Sequence, residues 1–484
     1  MEYTFETLVE KLQLDILYQV AKAAFEGKLD EMEKQIPLII SPGPKAIYRC
    51  CVHSERAIAA ERIKTIRQGV KGAKNIITVI PSACDQCPMG GYTVTDSCRG
   101  CIGHACVMAC PKKAITIDAH HHAHIDKSKC VNCGACAKAC PFGSIYNFRR
   151  PCQKACFTGA ITMDQNLAAK INEDKCISCG ACLLKCPFGA IVDRTQIIDV
   201  INELKQRLED RKAGKTPKLF YAVVAPSIAA QISPYTVEQT VEGLIQLGFT
   251  NVAEAALGAD MVAWGETKEL VEKKLLTSSC CPAFVEYILK FHPELRKYVS
   301  HNRSPMAEIA KKIKEKHPDA TICFIGPCTA KKKEALMPYD KSYVDYVLTF
   351  AETRALFKAK DVDLDKCKGM PLDEASAYGR GFARCGGLSD AVVQVLKEMK
   401  LEDFKLSPLM CSGMEQCIKA LNALEQGDKT HNFIEGMVCE GGCVGGPASL
   451  VHKNLYSKFL VDQHGRKSTN KTVKDSIESS DKNK

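Results

Sequence analysis

A cysteine-rich α+β region followed by an α/β domain, with a helical segment ahead of both, is the fold class this 484-residue chain predicts. Three patterns predict it. Between residues 76 and 196 the cysteines recur in near-copies of one spacing, with short strands among them. From Lys218 onward apolar strands alternate with helical stretches, the signature of a largely parallel sheet. Before residue 76 apolar residues recur at helical spacing.

Each element follows in chain order. Residues 1–75 read as helical through Leu8, Leu12, Ile16 and Val20 and again from Ala57 to Ile66, with Ser41-Pro42-Gly43-Pro44 as a break. Residues 76–196 form the cluster region, with repeats near 89–120, 121–150 and 167–196 and strands such as Ala114–Ile117. A charged helix over 197–214 reads as a linker. Residues 218–455 form the α/β domain, with strands at Leu219–Ala225, Ala320–Ile325 and Tyr346–Phe350. The polar stretch 463–484 is expected to be disordered.

Composition narrows the function classes. Charged residues are 25% and hydrophobic ones 46%, a globular balance. The net charge of +10 reads as an excess spread along the chain, which fits a docking surface for an acidic electron carrier better than nucleic-acid binding. The start, Met1-Glu2-Tyr3-Thr4-Phe5-Glu6, lacks the apolar core of a signal peptide. No run approaches the ~18 apolar residues of a membrane span. Twenty-eight cysteines point to metal or redox chemistry in a reducing compartment. Eighteen lie before residue 187 and ten after residue 279.

Three repeats carry the first group. They are Cys130-x2-Cys133-x2-Cys136-x3-Cys140-Pro141, its near copy Cys176-x2-Cys179-x2-Cys182-x3-Cys186-Pro187, and the looser Cys98-x2-Cys101-x4-Cys106-x3-Cys110-Pro111. Three thiolates two residues apart wrap one face of a four-iron cubane, and the fourth, beside proline, reaches a second cluster. Tetrahedral zinc instead uses widely separated Cys-x2-Cys pairs. The segments resemble bacterial two-cluster ferredoxins. That resemblance implies one set of Cys98, Cys101, Cys106 and Cys140 and another of Cys130, Cys133, Cys136 and Cys110. Cys152-x3-Cys156 looks like half of a further repeat, so Cys156 would complete Cys176, Cys179 and Cys182. Cys84, Cys87, Cys152 and Cys186 would then make a fourth set. The alternatives are that Cys84 and Cys87 are a remnant or a zinc pair, and that the repeats at 130 and 176 pair directly. Cys50-Cys51 is expected to be buried, and the His-rich stretch His120, His121, His122 and His124 to be a solvated hairpin turn.

Three motifs carry the second group: Thr277-Ser278-Ser279-Cys280-Cys281-Pro282, Gly326-Pro327-Cys328-Thr329-Ala330-Lys331-Lys332-Lys333-Glu334 and Glu435-Gly436-Met437-Val438-Cys439-Glu440-Gly441-Gly442-Cys443-Val444-Gly445-Gly446. They place cysteines at strand ends and in Gly-rich loops, where backbone can approach a bulky group closely. Four dispersed thiolates suit a cubane, and a fifth, Cys280, suits an acid or base beside substrate. Cys323, Cys367, Cys385, Cys411 and Cys417 read as buried structural thiols.

From about Tyr221 to Leu450 these motifs resemble the signature loops of the iron-only ([FeFe]) hydrogenases, in a divergent monomeric subgroup with N-terminal ferredoxin-type 4Fe–4S domains. The resemblance implies an α/β iron-hydrogenase catalytic domain behind an α+β ferredoxin-like one. It implies an H-cluster, a cubane held by Cys281, Cys328, Cys439 and Cys443 and joined through Cys443 to a two-iron subsite with CO, cyanide and a bridging dithiolate. Cys280 would pass protons, Lys331 would contact cyanide, and Met437, Ala225, Pro226, Ser227 and Phe382 would line the subsite. Glu266, Ser300 and Glu269 would form the proton path; taken alone, the two glutamates read as a solvated helix face. The implied reaction is 2 H⁺ + 2 e⁻ ⇌ H₂. Electrons would come from ferredoxin or a similar small carrier, dedicated maturation proteins would deliver the subsite, and the chain would work in the cytoplasm of an anaerobe. A hydrogen sensor and an iron–sulfur assembly protein with little turnover are the alternatives. The sequence departs from the family pattern at Gly326, where methionine is usual, at Pro447-Ala448 after the third loop, and at Met306, commonly glutamine.

Overall fold

The computed structural model describes residues 5–73, 75–88, 90–338, 342–452, 454–468 and 470–482. Two parallel sheets organise the C-terminal half. Strands β9 (Phe220–Val224), β10 (Asn251–Glu254), β12 (Thr321–Gly326) and β13 (Tyr346–Thr349) form the first, in the order β10-β9-β12-β13. Strands β11 (Leu276–Thr277), β14 (Pro408–Ser412) and β15 (Phe433–Met437) form the second, in the order β11-β15-β14. Helices cover these sheets, so central strands such as Ile322–Gly326 are buried throughout and read as apolar runs. The expected largely parallel sheet is therefore two sheets.

Between residues 77 and 193 the secondary structure is sparse. Among the described residues four two-stranded antiparallel ribbons hold the cysteine loops: β1 (Ile77–Val79) with β8 (Ile191–Asp193), β2 (Gly91–Val94) with β5 (Ile145–Phe148), β3 (Ile115–Ile117) with β4 (Ala123–Ile125), and β6 (Ile161–Met163) with β7 (Ala169–Ile171). Helices of four or five residues, such as Pro151–Ala155 and Ala181–Lys185, lie among them. The His-rich stretch is the exposed turn between β3 (Ile115–Ile117) and β4 (Ala123–Ile125), as expected.

Four expectations need correction. The stretch 197–214 is no free linker: the helix Ile197–Lys212 buries Ile197, Val200, Ile201 and Leu204, one helical stripe, in the same core as β9 and β12. The stretch 463–484 is ordered over its described residues, as the end of the helix Asn454–Gly465 and the helix Val473–Lys482. Val473 and Ser476 are fully buried there, and Ile477 packs on the core around Leu270 and Val392, so a sparse apolar stripe suffices once a receiving groove exists. Cys50 and Cys51 are exposed, with Cys51 Sγ accepting from Ser54 N at a helix start. Cys385 is half-buried, whereas Cys323, Cys367, Cys411 and Cys417 are buried as expected.

The first helix, Leu8–Phe25, begins at an N-cap Thr7 whose hydroxyl accepts from Glu10 N. Leu14, Ala21 and Ala24 join the core of the α/β half, while Ile16 and Val20 pack on Ala59 and Ile63 of the helix Val52–Gln68. Ile58 of that second helix joins the core around Cys84 and Cys152, so the N-terminal helices are built into both halves. No described helix is long and apolar enough to cross a membrane.

A candidate metal centre among three loops

Parallel strands aim their carboxyl ends one way, and the loops beyond them make a crevice. Here two sheets share one crevice. Ala225-Pro226-Ser227 follow β9, Pro327-Cys328 follow β12, Ser278–Cys281 follow β11, and Val438-Cys439 follow β15. All three sequence motifs therefore meet. Cys280, Cys281, Cys328, Cys439 and Cys443 line one pocket with Ala225, Pro226, Ser227, Lys331, Phe382 and Met437. Met306 and Phe324 complete its walls.

The donor set fits a cubane. None of the five thiols is in a disulfide. Burial pushes Cys328 up to about 11 and Cys443 to about 12, and neighbouring thiols add to this while Lys331 opposes it. Thiols held so close become good ligands when a cation takes their protons. Ser227 Oγ, wholly buried on the pocket wall, has no hydrogen-bond partner among the described residues, as expected of a group awaiting an acceptor. Lys331 is paired with Glu334 at 2.7 Å.

The departures have local reasons. A side chain at Gly326 would meet the Phe324 ring at 2.6 Å, so Phe324 occupies the room a methionine would need. Met306 is buried on the pocket wall. Pro447 packs on Gly180, whose Cβ would lie 2.6 Å from its ring.

Beside Cys280 runs a line of polar groups on and around the helix Ala255–Lys273. Glu269, on its outer side, pairs with Lys273 at 2.7 Å and accepts from Ser300 Oγ at 3.0 Å. Burial raises the Glu269 carboxyl, but hydrogen bonds from Lys273, His301 and Ser300 outweigh that and hold it below the ordinary value. Glu266, one turn inward, is fully buried, and burial lifts it to about 7. Ser279 N and Oγ both donate to Glu266 Oε1 at 2.8 Å, while Oε2 has no partner among the described residues. Ser279 is a member the sequence reading left out. Its only signal there is its place immediately before Cys280.

The N-terminal cysteines gather in groups. Cys110, Cys130, Cys133 and Cys136 line one small pocket, and Cys156, Cys176, Cys179 and Cys182 another. Cys106 feels Cys101 and Cys140, and packs with Cys98. Cys152 feels Cys84, Cys87 and Cys186. The loop Cys176–Gly180 sits against the catalytic loops: Thr329 Oγ1 donates to Ser178 O at 2.7 Å, and Lys290 Nζ to Cys176 O at 2.8 Å. Cys179 consequently lies within electrostatic reach of Cys281 and Cys439.

Fold and thiol sets define an iron–sulfur protein whose cluster loops abut an α/β pocket. Comparison with known proteins supplies the family. Residues 218–447 match the family model described as the iron only hydrogenase large subunit, C-terminal domain. Residues 97–144 match a 4Fe–4S dicluster domain, and 169–192 a 4Fe–4S binding domain. The chain is an iron-only-hydrogenase-like protein. It is 25% identical over 382 residues to the periplasmic [Fe] hydrogenase large subunit of Nitratidesulfovibrio vulgaris, covering 68% of this chain and 86% of that one. It is 26% identical over 278 residues to iron hydrogenase 1 of Clostridium pasteurianum, covering 46% and 48%. A cytosolic Fe–S cluster assembly factor of Meyerozyma guilliermondii is 28% identical over 194 residues, covering 34% and 35%. The chain thus spans most of the first relative and about half or less of the other two. A solved [FeFe]-hydrogenase of Chlamydomonas reinhardtii superposes with a TM-score of 0.47 at 20% identity, covering 57% of this chain and 93% of that one.

Proposed function

We propose that the chain interconverts protons and H₂ at the three-loop pocket, with electrons relayed through the N-terminal thiol sets. One observation carries the reading: a single pocket holds four thiols suited to a cubane and a fifth, Cys280, backed by a buried carboxylate. When bound, the cubane and its two-iron subsite would supply the metal at which protons and electrons combine.

The chain's own residues do the rest. Cys281, Cys328, Cys439 and Cys443 would hold the cubane. Lys331 presents an ammonium to anionic ligands. Met437, Phe382, Met306 and Ala225-Pro226-Ser227 keep bulk water out. Protons enter at Glu269, pass the Ser300 hydroxyl to Glu266, and reach Cys280 beside Ser279. Each member can both accept and donate, and a carboxyl poised near neutrality loses little driving force in either direction. Electrons come from ferredoxin or a similar small acidic carrier, and maturation proteins supply the subsite. The same reading places the chain in the cytoplasm of an anaerobe, where reduced clusters survive.

The assembly-factor relatives favour a second reading, an iron–sulfur assembly role without the subsite; a hydrogen sensor with slow turnover is a third. Infrared spectra after subsite insertion test the first against the second. Bands from CO and cyanide, together with H₂ evolution from a reduced low-potential carrier, are expected. Intact iron–sulfur clusters without those bands would leave the assembly reading standing, and bands with negligible turnover would leave the sensor.

A further inference from the structure

Buried cations need an anionic partner, because an unpaired charge in a low-dielectric interior is costly. Three arginines lie near the fourth thiol set, and two of them, Arg62 and Arg150, have no carboxylate partner among the described residues. Arg150 is 1% exposed. Its guanidinium donates to Cys84 Sγ at 3.9 Å, and otherwise to the carbonyls of Leu167 at 2.6 Å, Pro88 at 3.2 Å and Cys87 at 3.2 Å. Arg62 is 4% exposed, donates to Gly189 O, and leaves Nε without a partner among the described residues. Arg49 sits over the Phe188 ring at 5.1 Å, pairs with the exposed Asp85 at 3.2 Å, donates to Ala83 O at 2.6 Å, and leaves Nη1 buried with no partner among the described residues. Thiols lie within electrostatic reach of all three: Cys186 for Arg62, and Cys87 for Arg49 and Arg150.

The thiols of the other accessory sets have different partners: among the described residues Cys110 accepts from Ala114 N, Cys130 from Asn132 N, Cys156 from Ala160 N and Cys176 from Ser178 N, all backbone amides, whereas Cys84 also accepts from a guanidinium. The fourth set also adjoins the set beside the catalytic pocket, since Cys152 lies within reach of Cys182.

We propose that Cys84, Cys87, Cys152 and Cys186 hold a fourth accessory cubane, and that Arg49, Arg62 and Arg150 form a cationic cage that makes it the most easily reduced of the accessory set. Neither ferredoxin-type family match reaches Cys84, Cys87 or Cys152. The physical reason is charge. Reduction adds one electron, taken from the low-potential carrier, to a site already anionic through four thiolates. Three guanidiniums favour that added charge, and burial keeps water from screening them. The consequence deepens the hydrogenase reading and rests on it: making H₂ takes two electrons while carriers deliver one at a time. An electron parked one cluster away from the site next to the pocket is available when the second arrives.

The test needs no hydrogenase activity. The full chain with its iron–sulfur clusters, before subsite insertion, is titrated with dithionite and followed by electron paramagnetic resonance. One accessory signal should appear at a higher potential than the rest. Arg62→Gln should lower that midpoint alone, by about tenfold in the reduction equilibrium or ~59 mV for one electron, and Arg62→Lys should restore it. Arg49→Gln provides the same reading if Arg62 variants do not fold. Cys84→Ala should remove the signal and about four iron atoms. An unchanged iron content in Cys84→Ala would overturn the site. Midpoints that do not move, or that all move together, would overturn the cage. Failure of the hydrogenase reading would show instead in missing CO and cyanide bands, with these titrations unaffected.

Discussion

Glu266 leaves one carboxylate oxygen without a partner in a fully buried setting, whereas its neighbour Glu269 is bonded to Lys273, Ser300, His301 and Asn302. The sequence showed only an i,i+3 pair of glutamates, which ordinarily faces solvent. The helix turns Glu266 inward because Ala259, Ala263 and Gly258 on the same helix pack closely against their neighbours. Burial is a tertiary property, so only the resemblance could mark these residues. Two variants separate the roles. Cys280→Ala should keep iron content and infrared bands while turnover falls by about 10²-fold or more, the scale for losing a positioned acid or base; near-normal H₂ evolution would show another proton route. Cys281→Ala should instead lose the catalytic cubane itself. Glu266→Gln should cost a similar factor in turnover and remove any limb of the pH–rate profile near pH 7, where this carboxyl titrates. A retained limb would assign that titration elsewhere.

At the scale of elements, regular apolar spacing was legible and docking was not. Strands of the first sheet lie within a residue or two of their expected places because each is a short apolar run bounded by turns. The C-terminal helix Val473–Lys482 escaped, since its sequence is mostly polar and its anchors are few: Val473, Ile477 and one hydroxyl. Ser476 Oγ donates at 2.7 Å to Asp260, which is wholly buried and also accepts from Ser376 N and Oγ. Burial raises Asp260 to about 7. Between its ordinary value near 3.8 and about 7 the folded chain keeps a proton that the unfolded chain has lost. Stability from this group is therefore present at low pH and falls as pH rises through that window, by roughly 1–4 kcal/mol. Thermal unfolding of wild type and Asp260→Asn across pH 4–8 checks it: the difference between them should slope across the window. Parallel curves would mean that Asp260 does not titrate there.

For the whole molecule, cluster number and carrier docking are the outstanding quantities. Five thiol sets, four accessory and one catalytic, imply about twenty iron atoms per chain before subsite insertion, four per cubane; iron assay of reconstituted protein near eight would sink the reading of the repeats. Docking concerns charge. The excess is concentrated rather than spread: residues 91–160 hold nine Lys or Arg against three Asp and no Glu. Arg99, Lys112, Lys113, Lys138 and Arg149 are exposed there. Among them Ile102 is 97% exposed and Met108 84%, both beside cluster cysteines, and Cys133 is exposed as well. Exposed apolar residues interspersed in sequence with basic ones, beside the first two cysteine repeats, suit an acidic carrier. Such attraction chiefly speeds encounter and weakens as salt shortens the screening length from about 10 Å at 0.1 M to about 3 Å at 1 M. Electron entry from an acidic ferredoxin should thus slow several-fold between those salt concentrations, and further in Lys112→Glu/Lys113→Glu, while entry from a small neutral viologen-type reductant should barely change in either case. Equal salt dependence for both reductants would place the carrier on another face.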